Sequence, residues 1–237
     1  MSVERNLLMS ILKLTKEGTV LIESVNKEAR IPLSTTLKLL DKLQNENLIY
    51  LKLKSIEVDS NNRLKLAIKA ASLGADIEHI SKFLCWQEFE EIAALALKNN
   101  GYIVKNNVRF KHEGKRWEID VVGCKKPLVI CIDCKHWKRA ISPSALHKIV
   151  DLQTQRALAL ADSLPDITLK LECVKWEKAK FIPAVLSLIP SAFKFCQSVP
   201  VVPVLQLQDF ICQLPAYTES TKFFSKTFKN LTHDFEE

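Results

Sequence analysis

Trp117-Glu118-Ile119-Asp120-Val121-Val122 and, after a Lys125-Lys126-Pro127 turn, Leu128-Val129-Ile130-Cys131-Ile132-Asp133-Cys134-Lys135 decide how this sequence is read. Both runs are apolar and β-branched, which predicts strands over 116–123 and 128–134. Carboxylates are depleted in strands, and charged groups are rarely buried without a partner. Two aspartates and a lysine inside such runs therefore need a reason. Side chains alternate along a strand, so Asp133 and Lys135 project from one face. If the two runs form a hairpin centred near Lys125-Lys126, Asp120 falls close to opposite Asp133, within cross-strand reach. Two carboxylates so placed repel unless a cation lies between them. Oxygen ligands of this kind suit Mg²⁺, with Mn²⁺ as a substitute, and leave positions for water and phosphate oxygens. The Cys134 carbonyl is a further oxygen within reach, and Lys135 can orient a water or neutralise developing charge. The plainer alternative is a buried Asp120–Lys135 ion pair, which is not an efficient source of stability.

Outward from this hairpin, the spacing predicts a helix over 86–99, WQEFEEIAALALKN, stopped by Gly101. A strand over 102–110 follows it, and a long helix over 143–163 follows the hairpin. Two further strands are expected at 179–189 and 200–205, then a short helix at 207–213. The order α-β-β-β-α-β predicts an α/β fold with a mixed sheet and flanking helices. Ahead of it, Leu7, Leu8, Ile11 and Leu12 mark a first helix, and a second is expected over 20–28. A third is capped by Ser34, with Leu33, Leu37, Leu40 and Leu43 as its buried stripe. Thr35, Thr36, Lys38 and Lys42 would face away from that stripe. Period-two alternation then sets Leu51 and Leu53 against Lys52 and Lys54, up to the turn Asp59-Ser60-Asn61-Asn62. Three helices and a β-ribbon is the order of a winged helix-turn-helix, whose third helix can enter the major groove. The organisation expected is a winged-helix-like domain over 1–60, a helical connector over 61–84, the α/β domain over 85–215 and a polar tail over 216–237.

Composition sets bounds on function. The 237 residues carry a net charge of +7, which favours a polyanionic partner. The excess is concentrated: 102–139 holds 10 basic and 4 acidic residues, whereas 1–84 holds 13 and 10. Seven scattered cysteines argue against a disulfide framework, and Cys131-x-x-Cys134 has no second pair at zinc-ribbon spacing. No apolar run is long enough to span a bilayer, and the first residues lack a signal-peptide pattern. An intracellular, cytoplasmic and nucleoid-associated protein is expected. A GxxxxGK[ST] loop, an HExxH pair and a GxSxG elbow are all absent from the sequence.

Asp120, a twelve-residue spacer and Asp133-x-Lys135, preceded by a helix with Phe89-Glu90 that ends in Gly101-Tyr102-Ile103-Val104, resemble the PD-(D/E)xK nuclease superfamily. The nearest likeness is to Mrr-like type IV restriction endonuclease and archaeal Holliday-junction-resolvase-like domains, over about 85–165. The proline that often precedes the first aspartate is replaced here by Ile119. The resemblance implies an Mg²⁺-dependent DNA endonuclease in restriction, repair or recombination. Glu90 (with Glu91 or Glu88 as alternatives), Asp120 and Asp133 would bind metal, and Lys135 would assist the attacking water. The segment Asp151-Leu152-Gln153-Thr154-Gln155-Arg156 resembles the family's glutamine-bearing helix, so Gln153, Gln155 or Arg156 would meet phosphate or water. Arg116, His136, Lys138 and Arg139 extend the basic surface, alongside Thr35, Thr36, Lys38, Lys42, Lys52 and Lys54 of the first domain. A homodimer cutting both strands is expected, together with repair or restriction partners. The alternative is a DNA-binding regulator, or a module of a repair complex, with an inactive nuclease fold.

Overall fold

The computed structural model of the chain describes residues 3–76, 79–80, 82–135, 141–187 and 193–228. Its contacts divide the chain into two compact units, Met1–Ile92 and Ala93–Glu237. The expected α/β class with a mixed sheet is what is found, with seven α-helices among the described residues.

In the first unit the helices are α1 (Val3–Leu14), α2 (Ile22–Ala29), α3 (Leu33–Asn45) and α4 (Ser60–Ser72). The strands β1 (Val20–Leu21), β2 (Tyr50–Lys52) and β3 (Ser55–Glu57) form a small antiparallel sheet in the order β1-β3-β2. Leu7, Leu8, Ile11, Leu12, Leu40 and Leu43 are fully buried, as their spacing requires. Three details differ from the sequence reading. Helix α3 begins two residues earlier, after Pro32 and without a side-chain cap. Leu33 and Leu37 are exposed, while Thr36 is fully buried and donates its hydroxyl to Asn26 Oδ1 and Pro32 O. A hydroxyl can be buried when local acceptors satisfy it, which a purely apolar stripe does not register. Leu53 is fully exposed at φ 51°, because Leu53-Lys54 forms the tight turn between β2 and β3 and so cannot pair in phase with Leu51. The stretch read as a connector begins with α4, which is capped by Asp59 accepting from Asn62 N and packs against α1.

The second unit is built on β4 (Ile103–His112), β5 (Lys115–Lys125), β6 (Leu128–Lys135), β7 (Lys178–Ser187), β8 (Phe195–Cys196), β9 (Val199–Pro203) and β10 (Phe224–Thr227). The order is β4-β5-β6-β7-β9-β8, and β10 pairs with the start of β7. Strands β4, β5 and β6 are antiparallel, and β6, β7 and β9 are parallel. The crossover from β6 to β7 contains α6 (Pro143–Ser163), which starts at Ser142 with its hydroxyl on Ala145 N. Ala157, Leu160 and Ala161 of α6 pack with Val122, Cys124, Val129 and Cys131. Gly123, between two of those residues, points the other way. A Cβ there would lie 2.9 Å from Leu97 Cδ1, so the glycine lets the end of α5 (Trp86–Asn99) approach the sheet. Helix α7 (Leu207–Tyr217) follows β9. The tail read as polar contributes β10 and the buried Phe228, because its phenylalanines complete the core beside α6. No helix among the described residues is long and apolar enough to cross a membrane.

Candidate active site

The β5–β6 hairpin holds the register that its loop dictates. Lys125 pairs with Leu128 and Val121 with Ile132. Continued by one residue, the same register sets Asp120 across from Asp133, at the point where β5 leaves β6. Alternation puts both on the side covered by α6, since Val122 and Cys131 already pack there. Asp133 is 1% exposed and Asp120 is 7% exposed.

Each carboxylate has partners. Asp120 Oδ2 accepts the Cys134 backbone N–H at 2.7 Å. Lys135 Nζ lies 2.9 Å from both oxygens of Asp133, and Arg156 Nη1 of α6 donates to Asp133 Oδ1 at 2.5 Å. Burial pushes the Asp120 carboxyl above its ordinary pKa. The Cys134 N–H opposes this, the neighbouring Asp133 charge adds to it, and Lys135 and Arg156 oppose it from further away. Asp120 is therefore the carboxylate short of positive charge, while Asp133 has two cations against it.

Gln153 was read as a phosphate or water contact. It is fully buried, and its Nε2 donates to the Cys131 carbonyl at 2.7 Å, tying α6 to β6 two residues before Asp133. Its helical face turns inward, so it is a positioning residue, and its Oε1 has no hydrogen-bond partner among the described residues. Arg116 is exposed on β5. His136, Lys138 and Arg139 lie outside the described residues. In the first unit, Lys38 and Lys54 are exposed, and Thr35 is half-buried. Lys42 is held by Glu4 at 3.0 Å, and Lys52 is paired with Glu57. Thr36 is withdrawn from the expected surface by its burial.

On α5, Glu90 is buried. Glu88, an alternative ligand in the sequence reading, is committed elsewhere. Its Oε1 accepts from Arg63 Nε at 2.5 Å, and its Oε2 accepts from Cys85 N at 2.7 Å. Arg63 also donates to Leu12 O at 2.9 Å, to Phe83 O at 2.6 Å and to Thr15 Oγ1. Only the position of Arg63 next to Leu64 and one turn from Leu66 and Ala67, on the buried side of α4, hinted at this. Cys131 and Cys134 are buried, outside any disulfide and three residues apart in β6, where alternation sends them to opposite faces.

The donor set suits a hard cation. It comprises two carboxylates on adjacent strands, of which one is under-compensated, and a nearby peptide carbonyl. Among the described residues, no group of three or more His, Cys, Asp or Glu side chains could hold a metal ion. An ion here would take one or two carboxylates and complete its shell with water and phosphate oxygens, which is the usual manner of Mg²⁺.

The chain is 28% identical over 133 residues to an uncharacterized protein of Archaeoglobus fulgidus, covering 56% of this chain and 93% of that one. It is similar to the crystal structure of protein VC1899 from Vibrio cholerae at a TM-score of 0.41 and 13% identity, over 92% of this chain. The chain spans about half (52%) of the length of that protein. Residues 86–157, which contain Asp120, Asp133, Lys135, Gln153 and Arg156, match the nuclease-related domain (NERD), so the candidate site lies within a nuclease-related segment.

Proposed function

We propose that the second unit is a metal-dependent nuclease core of the PD-(D/E)xK type, hydrolysing phosphodiester bonds in DNA. The observation that carries this reading is the cross-strand placement of Asp120 and Asp133 with Lys135 on the same carboxylate, inside the nuclease-related segment.

Asp120, Asp133 and the Cys134 carbonyl would hold Mg²⁺. When bound, the ion supplies Lewis acidity toward the phosphodiester and lowers the pKa of a coordinated water. The chain's own groups do the rest. Asp120 is kept in place by the Cys134 N–H. Lys135, turned by alternation to the Asp133 side of the strand, orients the attacking water and stabilises charge growing on the phosphate. Arg156 offers a planar donor pair to a phosphate oxygen once Asp133 turns to a cation. Gln153 holds β6 at its fixed distance from α6.

The first unit supports a winged-helix reading, with elements in the order α1-β1-α2-α3-β2-β3. In that reading α3 and the β2–β3 turn touch DNA through Lys38, Lys54 and Lys52, and two copies of the chain cut the two strands. Restriction or repair is the fitting context. A second reading has its own observation: Asp133 is already neutralised by Lys135 and Arg156, as suits a DNA-binding module whose nuclease fold is inactive.

Incubation with supercoiled plasmid and with branched DNA, with and without Mg²⁺ or Mn²⁺, separates the two. Nicking that needs the metal and disappears in Asp133→Ala and Lys135→Ala supports the enzyme. Binding without cleavage supports the inactive module. Equal cleavage by the wild type and both variants would end the enzyme reading.

A further inference from the structure

The register of the sheet leaves half of a hairpin beyond its neighbour. Strands β4 and β5 pair from Ile103–Cys124 out to His112–Lys115, but β6 pairs only with Val121–Lys125 of β5. The outer half of the hairpin lies against α6 instead. Between them is a cavity of about 670 Å³.

Its walls have an unusual composition. Arg109, Lys111, Lys115 and Arg116 come from the hairpin, and Arg156 comes from α6. The single acid among the described lining residues, Glu118, is paired with Arg109 at 3.0 Å. Phe110 and Trp117, cross-strand partners, supply aromatic walls, and Leu152 supplies an aliphatic one. Lys115 Nζ sits 3.7 Å above the centroid of the Trp117 ring. Trp117 Nε1 is buried and has no hydrogen-bond acceptor among the described residues, which is a standing cost for a donor withdrawn from water. Arg156 belongs to two places, since it lines this cavity and donates to Asp133 at 2.5 Å. The cavity therefore begins one side chain from the candidate active site.

With Arg109 held by Glu118 and Arg156 by Asp133, the further cations Lys111, Lys115 and Arg116 call for a polyanion. Aromatic and aliphatic walls call for a flat ring in addition to phosphate. The volume falls in the range of small-ligand pockets, about 300–1,000 Å³, and a stacked base pair cannot place its ring in such a concavity without leaving the helix. The geometry points to a subsite for one unpaired nucleotide of a DNA strand, its base against Trp117 and Phe110 and its phosphates among Lys111, Lys115 and Arg116. This rests on the nuclease reading and narrows it: the strand delivered to Asp133 through Arg156 is locally single-stranded, at a frayed end, flap or junction.

The test is fluorescence anisotropy of the full chain in EDTA, so that binding is read without cleavage. The probes are a fluorescein-labelled oligothymidylate, a blunt duplex of the same length and an oligouridylate. Wild-type protein binds the oligothymidylate several-fold more tightly than the duplex and the oligouridylate. The double variant Lys111→Ala/Lys115→Ala, made at exposed positions, loses about tenfold or more on the single strand, with a shallower salt dependence, and keeps its duplex affinity. Trp117→Phe retains a stacking ring, folds as judged by its circular-dichroism melt, and removes the tryptophan quenching that accompanies binding of the single strand. Unchanged single-strand affinity in the double variant, equal losses on both DNA probes, or oligouridylate bound as tightly as oligothymidylate overturns the subsite. The nuclease reading fails separately: no metal-dependent plasmid cleavage with single-strand preference intact sinks the enzyme and leaves the subsite.

Discussion

Two contacts between an arginine and a buried acid, one in each unit, look alike on paper and differ in kind. Arg63 and Glu88 have side chains 6% and 3% exposed. Each nitrogen of the guanidinium has an acceptor: Leu12 O, Thr15 Oγ1, Phe83 O and Glu88 accept from it, and Cys85 N satisfies the other Glu88 oxygen. That contact is closed. Around Asp133 the cations are on the water side, with Lys135 27% and Arg156 21% exposed, and a second acid, Asp120, stands across the strand gap with its pKa raised by burial. A closed pair fixes structure, since water and ligands have no place in it. An open cluster with one under-compensated carboxylate can exchange partners, which binding and catalysis require. Burial and an opposite charge do not by themselves mark a functional acid; access does.

The comparison can be broken at either end. The largest expected effect is at Asp120. Asp120→Asn should lower metal-dependent cleavage about a thousandfold, on the order of 4 kcal/mol of transition-state stabilisation. In EDTA its effect on stability has the opposite sign. The folded pKa of Asp120 lies above the unfolded value, so its ionisation costs stability as pH rises through the carboxylate range. Asparagine removes that cost and can still accept the Cys134 N–H. A melt at neutral pH in EDTA should therefore show Asp120→Asn above wild type, and a lower melting temperature would contradict the electrostatic account.

Next comes Arg63→Ala, which strands Glu88 as a lone buried charge. It should cost roughly 3–5 kcal/mol in urea denaturation while leaving cleavage per folded molecule unchanged. Replacing both partners by apolar residues, Arg63→Met with Glu88→Leu, should recover most of the loss. A double variant as unstable as the single one would mean that the pair does more than fill its site.

Smaller again is Gly123→Ala, which brings a methyl to 2.9 Å from the flexible end of Leu97. An overpacking cost of about 1–2 kcal/mol is expected in the same assay, and Leu97→Ala in the same chain should relieve it. The smallest effect is at Lys42→Ala. Its contact with Glu4 is exposed on the lysine side and shared with Lys69, so less than ~1 kcal/mol should be lost. The melting temperature should fall little at low salt and less at high salt.

The sequence by itself determined the elements with strong periodicity and the pairing they imply. A short loop and period-two alternation leave one register for β5 and β6, and that register sets Asp120 opposite Asp133 with Lys135 on the same side. Helix α6 was legible for the same reason, since its apolar spacing is local, whereas its Ser142 cap came only with the structure. What only the tertiary structure decided depends on groups far apart in the chain. Glu88 is taken by Arg63, twenty-five residues away. Thr36 is buried because Asn26 accepts its hydroxyl, and Gln153 faces inward because a β6 carbonyl needs a donor. Strands β1, β8 and β10 are too short to carry a pattern and exist only because an edge was open to pair with them. Local spacing fixes which way a side chain points. Whether it meets water, a carbonyl or an opposite charge depends on where the rest of the chain is brought, and that choice is made by burial.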